Sequence, residues 1–331
     1  MRYHWPSKSQ WGQFLKVLNK KEKIIFLFFL ILFFASSFFL SFNFYFKNTK
    51  IVPAEGGSYT EGVIGAPRFI NPIYAASSDV DRDLTELIYS GLMKYDKEGK
   101  IVPDLAQDYK MLDEGKIFEF TLKENLLWED SQPLGVDDIV FTIKTIQNPL
   151  VKSPFRASWL GVKVEKISER VVRFELKNPS AVFLENCTLK ILPQHIWQDI
   201  SYQNLPLSIY NLKPIGSGPY KLKKITQDKT GTIKSLELVR NQNYSGKTSY
   251  ISKIIFKFFN NETELISAFN SGEINGLSLS SPKSYQNLKN SNFSKYSLSL
   301  PRYFSIFFNE QSCLLYTSDA ADELDGVDLG G

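Results

Sequence analysis

Pro214-Ile215-Gly216-Ser217-Gly218-Pro219-Tyr220 is the stretch on which the reading of the fold turns. Two glycines one residue apart let the backbone take a positive φ or come close to a neighbouring segment, and Pro219 stiffens the exit. Tyr220, Leu222 and Ile225 follow among lysines, which predicts a strand leaving a tight turn. Taken alone, the heptad is also an ordinary Gly-Pro turn before a strand. It is not a nucleophile elbow, which needs Gly-x-Ser-x-Gly between a strand and a helix. Nor is it a phosphate loop, since no Gly-Lys-Ser/Thr closes it.

Outward from the heptad the pattern is mixed. Tyr220–Thr226 and Ile233–Val239 predict a hairpin, and Ile254–Phe259 predicts another strand. Asn261 is placed to cap a helix with Leu265, Ile266, Ala268 and Phe269 inward, ended by Gly272. Upstream, Phe118, Phe120 and Leu122 alternate with polar residues as a half-buried strand. A helix starts near Asp137-Asp138 with Ile139, Val140, Ile143 and Ile146 as its apolar stripe. Strands are expected at Val162–Ile167 and Val171–Leu176. Asp81 is read as the cap of a helix carrying Leu84, Leu87, Ile88 and Leu92. Strands interspersed with isolated helices imply an α/β or α+β body.

The 331 residues, 43% hydrophobic and 14% aromatic, supply a sizeable core, so global disorder is excluded. The formal charge of +4 is uneven. Residues 1–23 hold Arg2, Lys8, Lys16, Lys20, Lys21 and Lys23 against Glu22, a net +5, which leaves −1 for the remainder. A nearly neutral body lacks the basic footprint of nucleic-acid binding. Two cysteines, Cys187 and Cys313, and two histidines, His4 and His195, form no zinc-type cluster, so neither metal nor cofactor is expected. His195 is expected to be a loop histidine with local hydrogen bonds.

From Ile24 to Phe46 run 23 uncharged residues, about 35 Å as a helix, enough to cross a bilayer. The preceding basic cluster predicts a cytoplasmic amino terminus and an outside body. No Ala-x-Ala site follows, so an uncleaved anchor is expected. Residues 47–61 read as a juxtamembrane linker.

In this order the pieces resemble the family 5 extracellular solute-binding proteins, the peptide- and nickel-binding components of ATP-binding cassette importers. The resemblance rests on several matched stretches. Asn71-Pro72, the run Ile88–Leu92 followed by Ile101–Ala106, and Phe118–Leu122 through Trp128 to Phe141 all fit the family pattern. So do Pro214–Tyr220, Arg240–Tyr244 and Ser271–Ile274. Trp128-Glu129-Asp130-Ser131 replaces the family's Asp-Gly turn, and Asn275 stands where Asp is common.

The resemblance implies a periplasmic-binding-protein-like two-lobed α/β fold of type II character, of which residues 62–312 form a part. Residues 62–83 and 190–300 would belong to the first lobe, 84–190 to its companion subdomain, and 301–312 to the start of the second lobe. It further implies that Gly65, Ala66, Pro67, Phe155, Trp159, Leu277, Ser278, Leu279, Ser280, Pro301, Arg302 and Tyr303 line the cleft. Residues 313–331 begin with Cys313-Leu314-Leu315-Tyr316-Thr317-Ser318-Asp319, which reads as a translated sequencing-library adapter. The function implied is binding of oligopeptides for an importer, with permease subunits as partners. An anchored sensing or adhesion module is the alternative, and an extracytoplasmic hydrolase ranks third.

Overall fold

A computed structural model describes residues 16, 18–50, 52–180, 182–279, 282–289 and 293–296. Residues 1–288 form one unit and 289–331 another. The candidates Ser280, Pro301, Arg302 and Tyr303, with the expected start of the second lobe and the adapter-like tail, lie outside the described residues.

Helix α1 (Lys20–Asn48) is exposed along its whole length. The Asn19 amide donates to the Glu22 carboxylate at 2.8 Å and so fixes its start. Among the described residues it is the one helix long and apolar enough to cross a membrane. Strand β1 (Gly56–Ile64) begins inside the segment read as a linker, because Gly56 to Ile64 pair in parallel with Ile251 to Phe259.

The remaining elements follow in chain order: α2 (Asp79–Ile88), β2 (Met93–Tyr95), β3 (Ile101–Pro103), β4 (Ala106–Leu112), β5 (Ile117–Leu122), α3 (Val136–Gln147), β6 (Lys163–Lys166), β7 (Val171–Glu175), β8 (Tyr220–Gln227), β9 (Ile233–Arg240), β10 (Ile251–Phe259), α4 (Glu262–Asn270) and β11 (Gly276–Leu277). A five-stranded mixed sheet has the order β11-β1-β10-β9-β8. A four-stranded antiparallel sheet has the order β4-β5-β7-β6.

The predicted patterns explain the packing. β5 alternates half-buried and buried positions, with Phe118, Phe120 and Leu122 inward. Ile139, Ile143 and Ile146 of α3 are buried, while Val140 stays half-buried at the edge of the stripe. Aromatic rings fill the space between, among them Trp128, Phe118, Phe120, Phe174 and Phe183. Asn261 caps α4 by accepting from the Glu264 amide at 2.9 Å.

Two expectations change. Ser78, not Asp81, precedes α2. Asp81 lies within the helix, and its carboxylate accepts from the Arg68 and Phe69 amides at 2.8 and 3.1 Å. The helix stops at Ile88 because the Ile88 carbonyl accepts from Gly218 N at 2.8 Å, so Leu92 lies beyond it. Helix α2 packs on β8 of the five-stranded sheet.

Candidate functional site

The glycine heptad is where three segments meet. A Cβ on Gly216 would fall on the Ile88 carbonyl, and one on Gly218 would lie 2.6 Å from the Ile88 carbonyl carbon. Neither glycine takes a positive φ, so close approach is what demands them. Ser217 Oγ accepts from Ser90 N at 3.2 Å. Glu129 N donates to Gly216 O at 2.9 Å, and Gly216 N donates back to Glu129 Oε2 at 3.3 Å. Asn241 Nδ2 donates to Gly218 O at 2.9 Å, and Asn243 Nδ2 to Trp128 O at 2.8 Å. The Pro214–Tyr220, Trp128–Ser131 and Arg240–Tyr244 stretches are therefore one knot of backbone contacts.

Within that knot Glu129 carries a carboxyl whose chemistry no local motif announces. Burial pushes its carboxyl up to about 7, against the pull of Gly216 N–H and Lys221, with Asp130 adding to the rise. Nothing in a Trp-Glu-Asp-Ser turn signals this, since the burial comes from the heptad about 90 residues later. The neighbouring His195 is not in a loop. It lies on a short helical turn, Gln194–Trp197, and its Nε2 meets Asp130 Oδ2 at 2.9 Å, 65 residues away. Among the described residues, no group of three or more His, Cys, Asp or Glu could hold a metal ion.

The candidate cleft residues that are described fall into three places. Gly65, Ala66 and Pro67 form the corner after β1. Gly65 has φ +96° and donates to Phe259 O at 2.9 Å, and Asp81 holds the next two amides. Leu277 pairs in parallel with Gly62, so β11 lies beside β1 and runs toward that corner from three residues short of it. Leu277 and Leu279 pack partly against Leu265, Ala268, Phe269 and Ile274, while Ser278 is exposed. Asn275, the departure from Asp, anchors this edge. Its amide donates to Thr60 O at 2.8 Å, and its side-chain oxygen accepts from Thr60 N at 2.9 Å.

The third place is the segment around Phe155. Ser153 Oγ donates to Ile73 O at 2.7 Å, and Tyr74 Oη donates to Val151 O at 3.1 Å. These bonds tie residues 151–155 to the turn that follows the corner. Phe155 is half-buried there. Trp159 is 2% exposed, its ring packed against Phe174 and Phe183, and it offers no surface to a solute.

This architecture has known counterparts. The oligopeptide-binding protein AppA of Bacillus subtilis is 29% identical over 233 residues, covering 69% of this chain and 42% of AppA. Its structure with a nonapeptide gives a TM-score of 0.66 at 28% identity over 73% of this chain and 47% of that one. The ABC transporter substrate-binding protein CtaP of Listeria monocytogenes gives a TM-score of 0.63 at 31% identity, covering 71% and 47%. NikZ of Campylobacter jejuni, solved with Ni(L-His), gives 0.59 at 26% identity over 66% and 42%. The chain thus spans less than half the length of these relatives. Its fold is that of the periplasmic binding proteins. Residues 100–320 match the model of the bacterial extracellular solute-binding proteins, family 5, and the chain belongs to that family of binding proteins.

Proposed function

We propose that this chain is the anchored, cleft-bearing part of an extracytoplasmic solute-binding protein that delivers oligopeptides to an ABC importer. The observation that supports this reading is the parallel β1–β11 pairing, which sets Leu277 beside Gly62, three residues before the Gly65–Pro67 corner. An extended peptide can be held there by backbone hydrogen bonds, which give affinity without side-chain specificity. Phe155 would add apolar contact. Trp159 would act through packing behind Phe155. Hinge closure of two lobes around the solute would follow.

AppA's nonapeptide makes peptides the first ligand class to test, and NikZ's nickel–histidine complex the second. Helix α1 would cross the membrane once with residues 1–23 in the cytoplasm, and permease subunits would be the partners. Calorimetry of the protein in detergent, titrated with pooled oligopeptides, is expected to give a saturable heat. No heat with any peptide pool or with nickel–histidine would overturn the reading.

A further inference from the structure

The end of the five-stranded sheet remote from the Gly65 corner forms a second surface. β1 and β10 both begin there, at Gly56 and Ile251, antiparallel β9 ends there at Arg240, and β8 starts there at Tyr220. Arg240 gathers this end. Its guanidinium donates to the Ile251 carbonyl at 3.3 Å and to that of Tyr250, and reaches Glu55 at 3.5 Å. Gly56 N donates to Tyr250 O at 2.8 Å, and Ser252 Oγ to Gly57 O at 2.6 Å. The chain arriving from α1 is thereby clamped to the loop 241–250. Tyr250 and Ile251 are 41% and 37% exposed, and the Lys247 ammonium lies 5.5 Å from the centre of the Tyr250 ring.

Charge is concentrated at the same place. Residues 47–58 and 240–253 hold Lys47, Lys50, Arg240, Lys247 and Lys253 against Glu55 alone, a net +4. The chain after residue 23 is −1 overall, which leaves −5 for everything else in it. Lys253 lies 4.0 Å from Glu237, so Lys247 and the tether lysines are the cations free to meet a partner.

Length then chooses the partner. The 29 residues of α1 extend about 43 Å, close to the full thickness of a bilayer with its headgroups. Asn48 therefore reaches headgroup level. Full extension of Thr49–Glu55 places Gly56 no more than about 29 Å from it. Tyrosine and lysine side by side suit that boundary, with the ring at the headgroups and the ammonium on lipid phosphate.

We propose that Lys247–Ile251 and the tether lysines rest on the anionic headgroup surface of the membrane that α1 spans. β1 then stands as a spacer of about 26 Å that points the Gly65 corner away from lipid. This rests on the reading of α1 as an uncleaved anchor. Each basic residue near an anionic leaflet shifts such docking by about fivefold.

The test is hydrogen exchange of the full chain in phosphatidylcholine vesicles, with and without anionic phosphatidylglycerol. Amides 244–251 are expected to exchange several-fold more slowly with the anionic lipid. Lys247→Glu with Lys50→Glu should abolish the effect, and so should high salt. Equal exchange on the two lipids, or protection that survives the charge reversals, would overturn the docking. An alkaline wash separates the two readings. A chain that stays in the vesicles yet shows no protection defeats the docking alone, whereas a chain released by the wash defeats the anchor and the docking together.

Discussion

The glycine knot and the Gly65 corner are built on opposite terms. At the knot, residues from four distant stretches share backbone hydrogen bonds, and two glycines are required because the Ile88 carbonyl occupies the space a side chain would fill. At the corner, a nine-residue strand ends beside a two-residue one, held by Asn275 and the Asp81 carboxylate. The contrast teaches that the most recognisable stretch marks the scaffold. The surface proposed for a solute is written in short, ordinary residues.

The largest expected effect breaks or sustains that contrast directly. Gly216→Ala should cost at least about 3 kcal/mol, because neither the Ile88 carbonyl nor the heptad can yield alone. Gly65→Ala, with a positive φ but only Val80 within 4 Å, should cost about 1–2 kcal/mol. Denaturant midpoints of the two variants in detergent decide it. An equal or reversed order would mean that the knot is not what holds the body together.

Trp159→Ala should destabilise by about 3–5 kcal/mol, as removal of a fully buried ring does. Phe155→Ala should cost roughly half that and instead weaken peptide affinity by about 1 kcal/mol or more. Thermal melts beside calorimetry separate the two, and a Trp159 variant that folds normally but loses peptide would move that ring into the cleft. Next in size, Asp81→Ala should cost about 1–3 kcal/mol by leaving two amides without their acceptor, with faster exchange at Arg68 and Phe69.

The smallest effect concerns pH. Glu129 has a folded pKa of about 7 against an ordinary 4.5, so the folded chain holds that proton more tightly than the unfolded one. Its contribution is therefore most favourable below pH 4.5 and is lost as pH rises through 7. Glu129→Gln should flatten the stability profile between pH 5 and 7 and stabilise the chain at pH 8 by about 1 kcal/mol, solvent screening reducing the figure. An unchanged profile would show that Glu129 is solvated in the folded chain.

How much was legible follows from the range of the forces. β5, α3, the β8–β9 hairpin and the Asn261 cap are local patterns, and each appears where periodicity puts it. β1 is not legible locally, because Gly-Gly-Ser at its start has poor strand propensity. Pairing with β10, some 195 residues away, overrides that. Asp81 reads as a cap because acids are common at helix starts, yet its carboxylate serves the turn ahead of the helix. Trp159 and Phe155 look alike in sequence, and only packing against Phe174 and Phe183 sets them apart.

The most direct measurement is hydrogen exchange across the whole body with and without saturating peptide. Slower exchange confined to residues 62–69 and 276–279, with the Gly218 amide already protected and unchanged, is the expected result. Protection gained at Pro214–Tyr220 with none at the β1 corner would contradict the account, because the scaffold and the binding surface would then have exchanged places.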